Sequence, residues 1–470
     1  MAIYKTPGVY INEISTFPPS VAEVETAIPV FIGYTEKATK TTANDLILKP
    51  TEINSLKQYE QYYGGANIEE IAIAITTNSD GSFAVDSFTE PAISYLLYES
   101  MRLFFANGGG RCYIVSVGLH QATPAIGNAG DGGSDPTTMY GLLDGLNIVR
   151  SEDEPTLIVI PEAVKLINTD YQSLVQAALT QCNDLQDRFG VFDIFDGAIT
   201  LDNSGWAANR ALFGNNNLRY GAAYYPFVRT TLNFPVASNE SNVMVTADLN
   251  PAAALSSFQS SNTALYNFVK ARLKEHYLVL PASAAVVGVY ATTDRNRGVW
   301  KAPANVSLAN VIEPVVKIDN SVQDGMNVDA TTGKSINALR AFMGKGTLVW
   351  GARTLAGNDN EWRYVSVRRF YNQVEESVKK STYWAVFEPN DANTWVKIRG
   401  LIENYLTQKW REGALAGATA QDAFFVRCGL GVTMDFQDIL EGRINVEIGM
   451  AVVRPAEFII LKFSHKVQTS

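Results

Sequence analysis

Thr156 to Phe195 reads TLIVIPEAVKLINTDYQSLVQAALTQCNDLQDRFGVFDIF, and the change of period inside it decides the fold. Thr156–Ile160 is an unbroken apolar run, the pattern of a strand covered on both faces. From Asp170 to Phe189 the apolar positions move to helical spacing, with Tyr171, Leu174, Val175, Ala178, Leu179, Cys182 and Leu185 on one stripe. Gly190 is expected to end that helix, and Val191–Phe195 is the next short apolar strand. Strand, helix and strand in that order call for a layered α/β core.

Working outward, the same alternation continues. Upstream, Ile93, Leu96, Leu97, Met101, Phe104 and Phe105 predict a helix stopped by Gly108–Gly110, then a strand over Arg111–Val117. A first core strand falls within Val21–Tyr34. Downstream, Gly221–Val228 reads as a strand, residues 264–277 as a helix and Ala284–Ala291 as a further strand. Residues near 35–87 and near 231–260 are polar and irregular, and are expected to be outward insertions. Gly127 to Asp135 is a flexible loop by composition.

After Leu339 the texture shifts to Trp, Arg and Tyr. A helix follows Pro389, capped by Asn393, with Trp395, Ile398, Ile402, Tyr405, Leu406 and Trp410 on its buried stripe. Strands over Ala423–Cys428 and Gly442–Ile448 complete an α+β segment. The expected fold class is therefore multidomain α/β and α+β. Its parts are an N-terminal strand arm over 1–20, an α/β domain over 21–338 with the two insertions, an α+β domain over 339–452, and a C-terminal strand arm over 453–470.

The arms are read from their patterning. Val453 to Val467, VRPAEFIILKFSHKV, alternates so that Ile459, Leu461 and Phe463 share one face and Phe458 and Ile460 the other. PGVYINEIS at 7–15 is a turn followed by a short β-rich run carrying Val9, Tyr10, Ile11 and Ile14, and Pro18 and Pro19 interrupt it. Apolar strands at both ends either close a sheet of their own chain or offer an edge to a neighbour.

Composition narrows the function. There are 48 acidic against 38 basic residues, for a net charge of −10, so a general nucleic-acid binder is disfavoured. Between Arg340 and Glu412 the sign reverses to a local +4, either a solvated face or a surface for an acidic partner. Cys112, Cys182 and Cys428 are far apart and read as buried thiols without a disulfide framework. The first residues have no apolar leader pattern, and the longest apolar run, near 277–291, is broken by Pro281, Ser283 and Gly288, so neither a secretory signal nor a membrane span is expected.

Chemistry is hard to find. His120, His276 and His465 have no metal-ligand spacing, and the glycine-rich pieces lack the lysine and hydroxyl residue of a phosphate loop. No metal or cofactor is expected. The enzymatic alternative rests on Asp193 and Asp196 in VFDIFDG, since carboxylates at the end of a buried strand are where α/β folds place acid–base groups. Strand-end aspartates also cap turns. Trp350, Trp362, Trp384, Trp395 and Trp410 sit among apolar residues and read as packing rather than stacking platforms.

A set of stretches in order resembles the sheath proteins of contractile phage tails, R-type bacteriocins and extracellular contractile injection systems. They are PGVYINEIS (7–15), ATTDRNRGVWKAPAN (291–305), GTLVWGARTL (346–355), EWRYVSVRRF (361–370), FEPND (387–391), AFFVRC (423–428) and VRPAEFIILKF (453–463). They run nearly end to end and are densest after Ala291, whereas 35–87 and 231–260 match no family pattern. The resemblance implies a structural protein without an active site, polymerised as hexameric rings wound helically around an inner tube and contracting to drive that tube through an envelope. It implies that the arms, through Val9, Tyr10, Ile11, Ile14, Phe458, Ile459, Ile460, Leu461 and Phe463, complete a small sheet in neighbouring subunits. It places the late α+β domain toward the tube, with Lys397, Arg399, Lys409 and Arg411 as the residues that could meet acidic tube groups. The implied partners are further copies of the chain, the inner tube, and baseplate and terminal cap proteins. Assembly in a bacterial cytoplasm before service in a tail or extracellular particle is expected.

Overall fold

A computed structural model of the chain describes residues 21–120, 123–127, 140–248 and 250–460. The chain forms two compact units. The smaller combines residues 21–24 with Gln373–Val453, and the larger combines Glu25–Asn372 with residues 454–460, as far as the described residues go.

In the larger unit a nine-stranded sheet runs in the order Val306–Ser307, Gly346–Val349, Asn337–Phe342, Gly221–Tyr225, Phe189–Asp193, Leu157–Val159, Pro29–Thr35, Cys112–Leu119 and Thr51–Ile53. From Asn337–Phe342 to Cys112–Leu119 the neighbours are parallel, and antiparallel pairs close each edge. Alternate residues of the parallel strands enter two separate cores. Phe31, Ile114, Val159, Val191 and Tyr224 face one, and Val30, Val115, Ile158, Phe192 and Ala223 face the other. The helix Asn168–Leu185 buries Tyr171, Leu174, Val175, Ala178, Leu179 and Cys182 in the second core. Its end is set by Gln186 in the left-handed region at φ 61°, whereas Gly190 lies inside the following strand.

Three expectations change. The run over 284–291 is not a strand: Ser283–Arg297 is a helix, and Tyr277–Leu280 is the strand that precedes it. Ser283 to Ala291 are buried without interruption, and a helix that is apolar on every side carries no periodic signal. The residues near 35–87 and 231–260 are also not irregular. Their strands Ile71–Thr77, Phe83–Thr89, Val243–Ala247 and Ala253–Ala254 form one four-stranded sheet, in which Val243–Ala247 pairs parallel with Ile71–Thr77. Ile71, Ile73, Ile75, Val243 and Val245 fill its inner face. Finally, Asn337–Phe342 and Gly346–Val349 extend the nine-stranded sheet of the larger unit, and the later stretch of the smaller unit runs from Gln373 to Val453, where the sequence reading puts a boundary at residue 339.

A buried carboxylate holds one helix start. Glu162 Oε1 accepts from the backbone N–H groups of Leu96 and Leu97, at 3.1 and 2.8 Å, opening the helix Leu97–Ala106. Gly33 makes room for it, since a Cβ there would lie 2.2 Å from Glu162 Oε2. Burial pushes the Glu162 carboxyl up to about 7, while burial pushes the His120 imidazole down to about 4. A carboxyl raised on folding contributes stability that is complete below its ordinary pKa and is lost as pH rises through about 7. His120 works in the opposite sense, its contribution being lost as pH falls from its ordinary 6.5 toward 4. Between pH 8 and 6.5 the Glu162 gain outweighs the His120 loss, so acidification over that window should stabilise the larger unit by roughly 0.5 kcal/mol. Chemical denaturation at the two pH values checks this, and Glu162→Gln should flatten the slope.

Candidate subunit interface

Each end of the described chain is anchored, the first in the smaller unit and the last in the larger. At the N-terminal side, Gln373, Ser377 and Ser381 lie four residues apart on the helix Val365–Ser381 and so share one face. The Ala22 and Val24 N–H groups donate to Ser381 Oγ and Ser377 Oγ at 3.0 and 3.1 Å. Gln373 Nε2 donates to Glu23 Oε1 at 2.5 Å, and Lys409 Nζ donates to Glu23 Oε2 and Glu412 Oε2, both at 2.8 Å. The segment 22–24 is thus held extended along a polar ladder before residues 1–20, where Val9, Tyr10, Ile11 and Ile14 lie outside the described residues.

At the C-terminal side the last backbone bond among the described residues is Val453 N–H to Ala414 O at 3.1 Å. Beyond it Glu457 is gripped in the larger unit by Arg353, whose Nε donates to Oε1 at 2.9 Å and to Oε2 at 3.2 Å and whose Nη2 donates to Oε2. Phe458, Ile459 and Ile460 follow with 73%, 81% and 79% of their surfaces exposed, and Leu461 and Phe463 lie outside the described residues. Three consecutive large apolar side chains left in water are the mark of an interaction site.

The smaller unit carries a sheet suited to receive such a strand. Phe424–Cys428 pairs antiparallel with Val446–Met450, and a bridge of Leu415 with Val452 continues it. Val426 and Cys428 are buried and Phe425 is exposed, so one face is covered and the other faces outward. Among the described residues this sheet has two strands.

The late basic residues divide. On the helix Ala392–Arg411, begun by Asp391 accepting from the Thr394 N–H at 3.0 Å and not by Asn393, Lys397 and Arg411 are exposed. Arg399 is half-buried with Glu403 at 3.6 Å. Lys409 is 3% exposed and committed to Glu23 and Glu412, which removes it from any outward surface. Arg353, Arg368 and Arg369 are buried as well, so much of the local positive excess is internal. Arg368 stacks on Trp362 at 4.3 Å, whereas Trp350 and Trp384 are exposed at 36% and 40% and not packed inward.

The carboxylates considered for catalysis have structural partners. Asp193 Oδ1 accepts from the Ala282 and Ser283 N–H groups at 2.8 and 2.9 Å, at the start of the helix Ser283–Arg297, and burial raises its pKa to about 6. Asp196 accepts from Asn209 Nδ2 at 3.0 Å. His120 stacks on Tyr95 and His276 on Phe88, and His465 lies outside the described residues. The three cysteines are buried free thiols. Among the described residues no cluster of His, Cys, Asp and Glu could hold a metal, and no helix is long and apolar enough to cross a membrane.

The exposed side chains of Phe458, Ile459 and Ile460 and the two-stranded sheet of the smaller unit make up the candidate contact surface of a protein with no catalytic constellation among its described residues. The chain belongs to the contractile tail sheath family. A family model described as the phage tail sheath C-terminal domain matches residues 357–466. The sheath chain of an extracellular contractile injection system, PVC, in the contracted state is 30% identical over 99% of both chains, with a TM-score of 0.63. The contracted helical sheath of the anti-feeding prophage is 29% identical over 99% of this chain and 100% of that one, with a TM-score of 0.64. The tail sheath protein of Enterobacteria phage T4 is 25% identical over 130 residues, which is 27% of this chain and 19% of that protein. The match thus spans about a fifth of that curated relative's length.

Proposed function

We propose that this chain is the repeating subunit of a contractile sheath. Copies form hexameric rings stacked helically around an inner tube, and contraction drives the tube through a target envelope. The carrying observation is the end-to-end similarity to sheath chains of contracted particles. Segments near residues 9–14 and 458–463 act as strands that add to the sheet of Phe424–Cys428 and Val446–Met450 in neighbouring subunits, where main-chain bonds give attachment and alternating side chains give register. A head-to-tail contact of this kind propagates into rings and helices. Contraction is then a repacking of bistable interfaces, summed over the lattice.

The protein performs no catalysis in this reading. Its other partners are the tube, the baseplate and a terminal cap, in keeping with a relative that sits in the anti-feeding prophage baseplate. Assembly takes place in the bacterial cytoplasm, before the particle acts as a phage tail or an extracellular injection device. The smaller unit faces the tube through Lys397, Arg399 and Arg411, with Lys409 withdrawn, and the sheet built from the two insertions faces outward.

Electron microscopy of the chain co-expressed with its tube protein tests the proposal. Tubes wrapped in a helical array of rings are expected, and a strictly monomeric chain would refute it. The same grids test the tube-facing face. Lys397→Glu with Arg411→Glu should leave bare tubes and free sheath, and normally wrapped tubes would remove those residues from the contact.

A further inference from the structure

The C-terminal segment carries one feature that its strand pattern does not require. Among the described residues from Arg454 to Ile460, the hydrogen bonds belong to the side chain of Glu457, which is 21% exposed while the next three side chains are almost fully in water. Its partner is built to stay still. Arg353 is 3% exposed, and its Nη1 donates to Asn327 O at 3.0 Å. The Arg353 N–H donates to Asn337 Oδ1 at 2.8 Å, and Asn337 Nδ2 donates back to Arg353 O at 2.8 Å. The Tyr364 hydroxyl adds a bond to Glu457 Oε2 at 3.3 Å. A two-pronged guanidinium–carboxylate contact fixes orientation as well as distance. A chain that had only to be tethered was already tethered at Val453.

We infer that Arg353 and Glu457 are positioning residues that pin the C-terminal segment to the larger unit and thereby set where the assembly strand begins. This rests on the reading of residues 458–467 as a strand donated to a neighbour. With the pin in place the free strand starts at Phe458. Without it the chain is loose from Arg454, which adds four residues, or about 13 Å of reach at strand spacing. In a sheet a one-residue change of register turns every side chain to the other face, so slack of that size matters to a periodic lattice. The pin makes the linker before Glu457 irrelevant to lattice spacing and the linker after it decisive.

That asymmetry is testable in two ways. In the soluble subunit, spin labels at Ser321→Cys and Ile460→Cys should report a narrow distance distribution that broadens at least twofold on Glu457→Ala. The pair Glu457→Ala with Arg353→Met should broaden it equally, and it avoids leaving a buried guanidinium unpaired. In the assembled sheath, two glycines inserted after Val453 should leave the helical repeat unchanged, whereas the same insertion after Glu457 should alter it or block assembly. In the Glu457→Ala background the two insertions should behave alike. An unchanged distance distribution in both variants, or equal effects of the two insertions in the native background, would overturn the inference. A native chain that forms no sheath would instead remove the donated-strand reading, while the label distances would still decide whether the pin exists.

Discussion

Deleting Phe458–Ser470 should leave a folded, soluble subunit that builds no sheath. Among the described residues little folding energy is at stake, because Phe458, Ile459 and Ile460 are in water and the last backbone bond is made by Val453. The unfolding free energy should therefore stay within about 1 kcal/mol of the full chain, as for surface changes generally. Assembly is another matter. A donated strand of this length makes about five to eight main-chain bonds at roughly 1 kcal/mol each, and they are lost at every subunit contact in the lattice. Sheath yield by sedimentation and microscopy should fall more than a hundredfold at unchanged protein concentration. A truncated chain that still forms long sheaths would refute the role of the tail. A truncated chain that fails to fold would show instead that the segment completes its own unit.

How much of this was legible beforehand follows from where the information lies. The parallel core was readable because Ile158, Val191 and Ala222 sit in short apolar runs between helices, and local patterning is enough to place them. The sheet of the insertions had a visible half, since Ile71, Ile73 and Ile75 alternate, but its partner Val243–Ala247 lies far along the chain and its parallel pairing leaves no local mark. The helix Ser283–Arg297 is hidden by the unbroken burial of Ser283 to Ala291, which leaves no amphipathic period over that stretch. Of the interface, the apolar tail was legible and its anchors were not. Arg353 and Glu457 are 104 residues apart, and Glu23 reaches Lys409 across 386. A basic residue in a Trp- and Tyr-rich stretch reads as surface until its carboxylate is found, which is why the sequence groups Lys409 with Lys397, Arg399 and Arg411.

Arg369 should prove the costliest single residue of the late motifs to lose, and for a reason opposite to binding. Its guanidinium donates through Nη1 to Asp294 Oδ1 at 3.0 Å and through Nη2 to Asp294 Oδ2 at 2.5 Å, and Nη2 also donates to Thr26 O at 2.9 Å. Thr26 Oγ1 donates to Asp294 Oδ2 at 2.6 Å, and the guanidinium lies 4.8 Å from the centre of the Tyr290 ring. Arg369 is 3% exposed and Asp294 6%, so three remote stretches of chain meet at one dry ion pair. Arg369→Ala strands a buried carboxylate, which should cost about 3–5 kcal/mol in denaturant unfolding of the larger unit. Arg369→Lys keeps the charge but loses the fork and should fall between the two. The pair Arg369→Met with Asp294→Asn removes both charges and should recover most of the loss, because a desolvated ion pair is roughly matched by well-packed neutral side chains. A loss under about 1 kcal/mol for Arg369→Ala would mean that water reaches Asp294 and the cluster is not closed. If the expected order holds, the arginines of EWRYVSVRRF belong to the rigid body of the subunit, and the recognition surface has to be sought in the exposed tail and its receiving sheet.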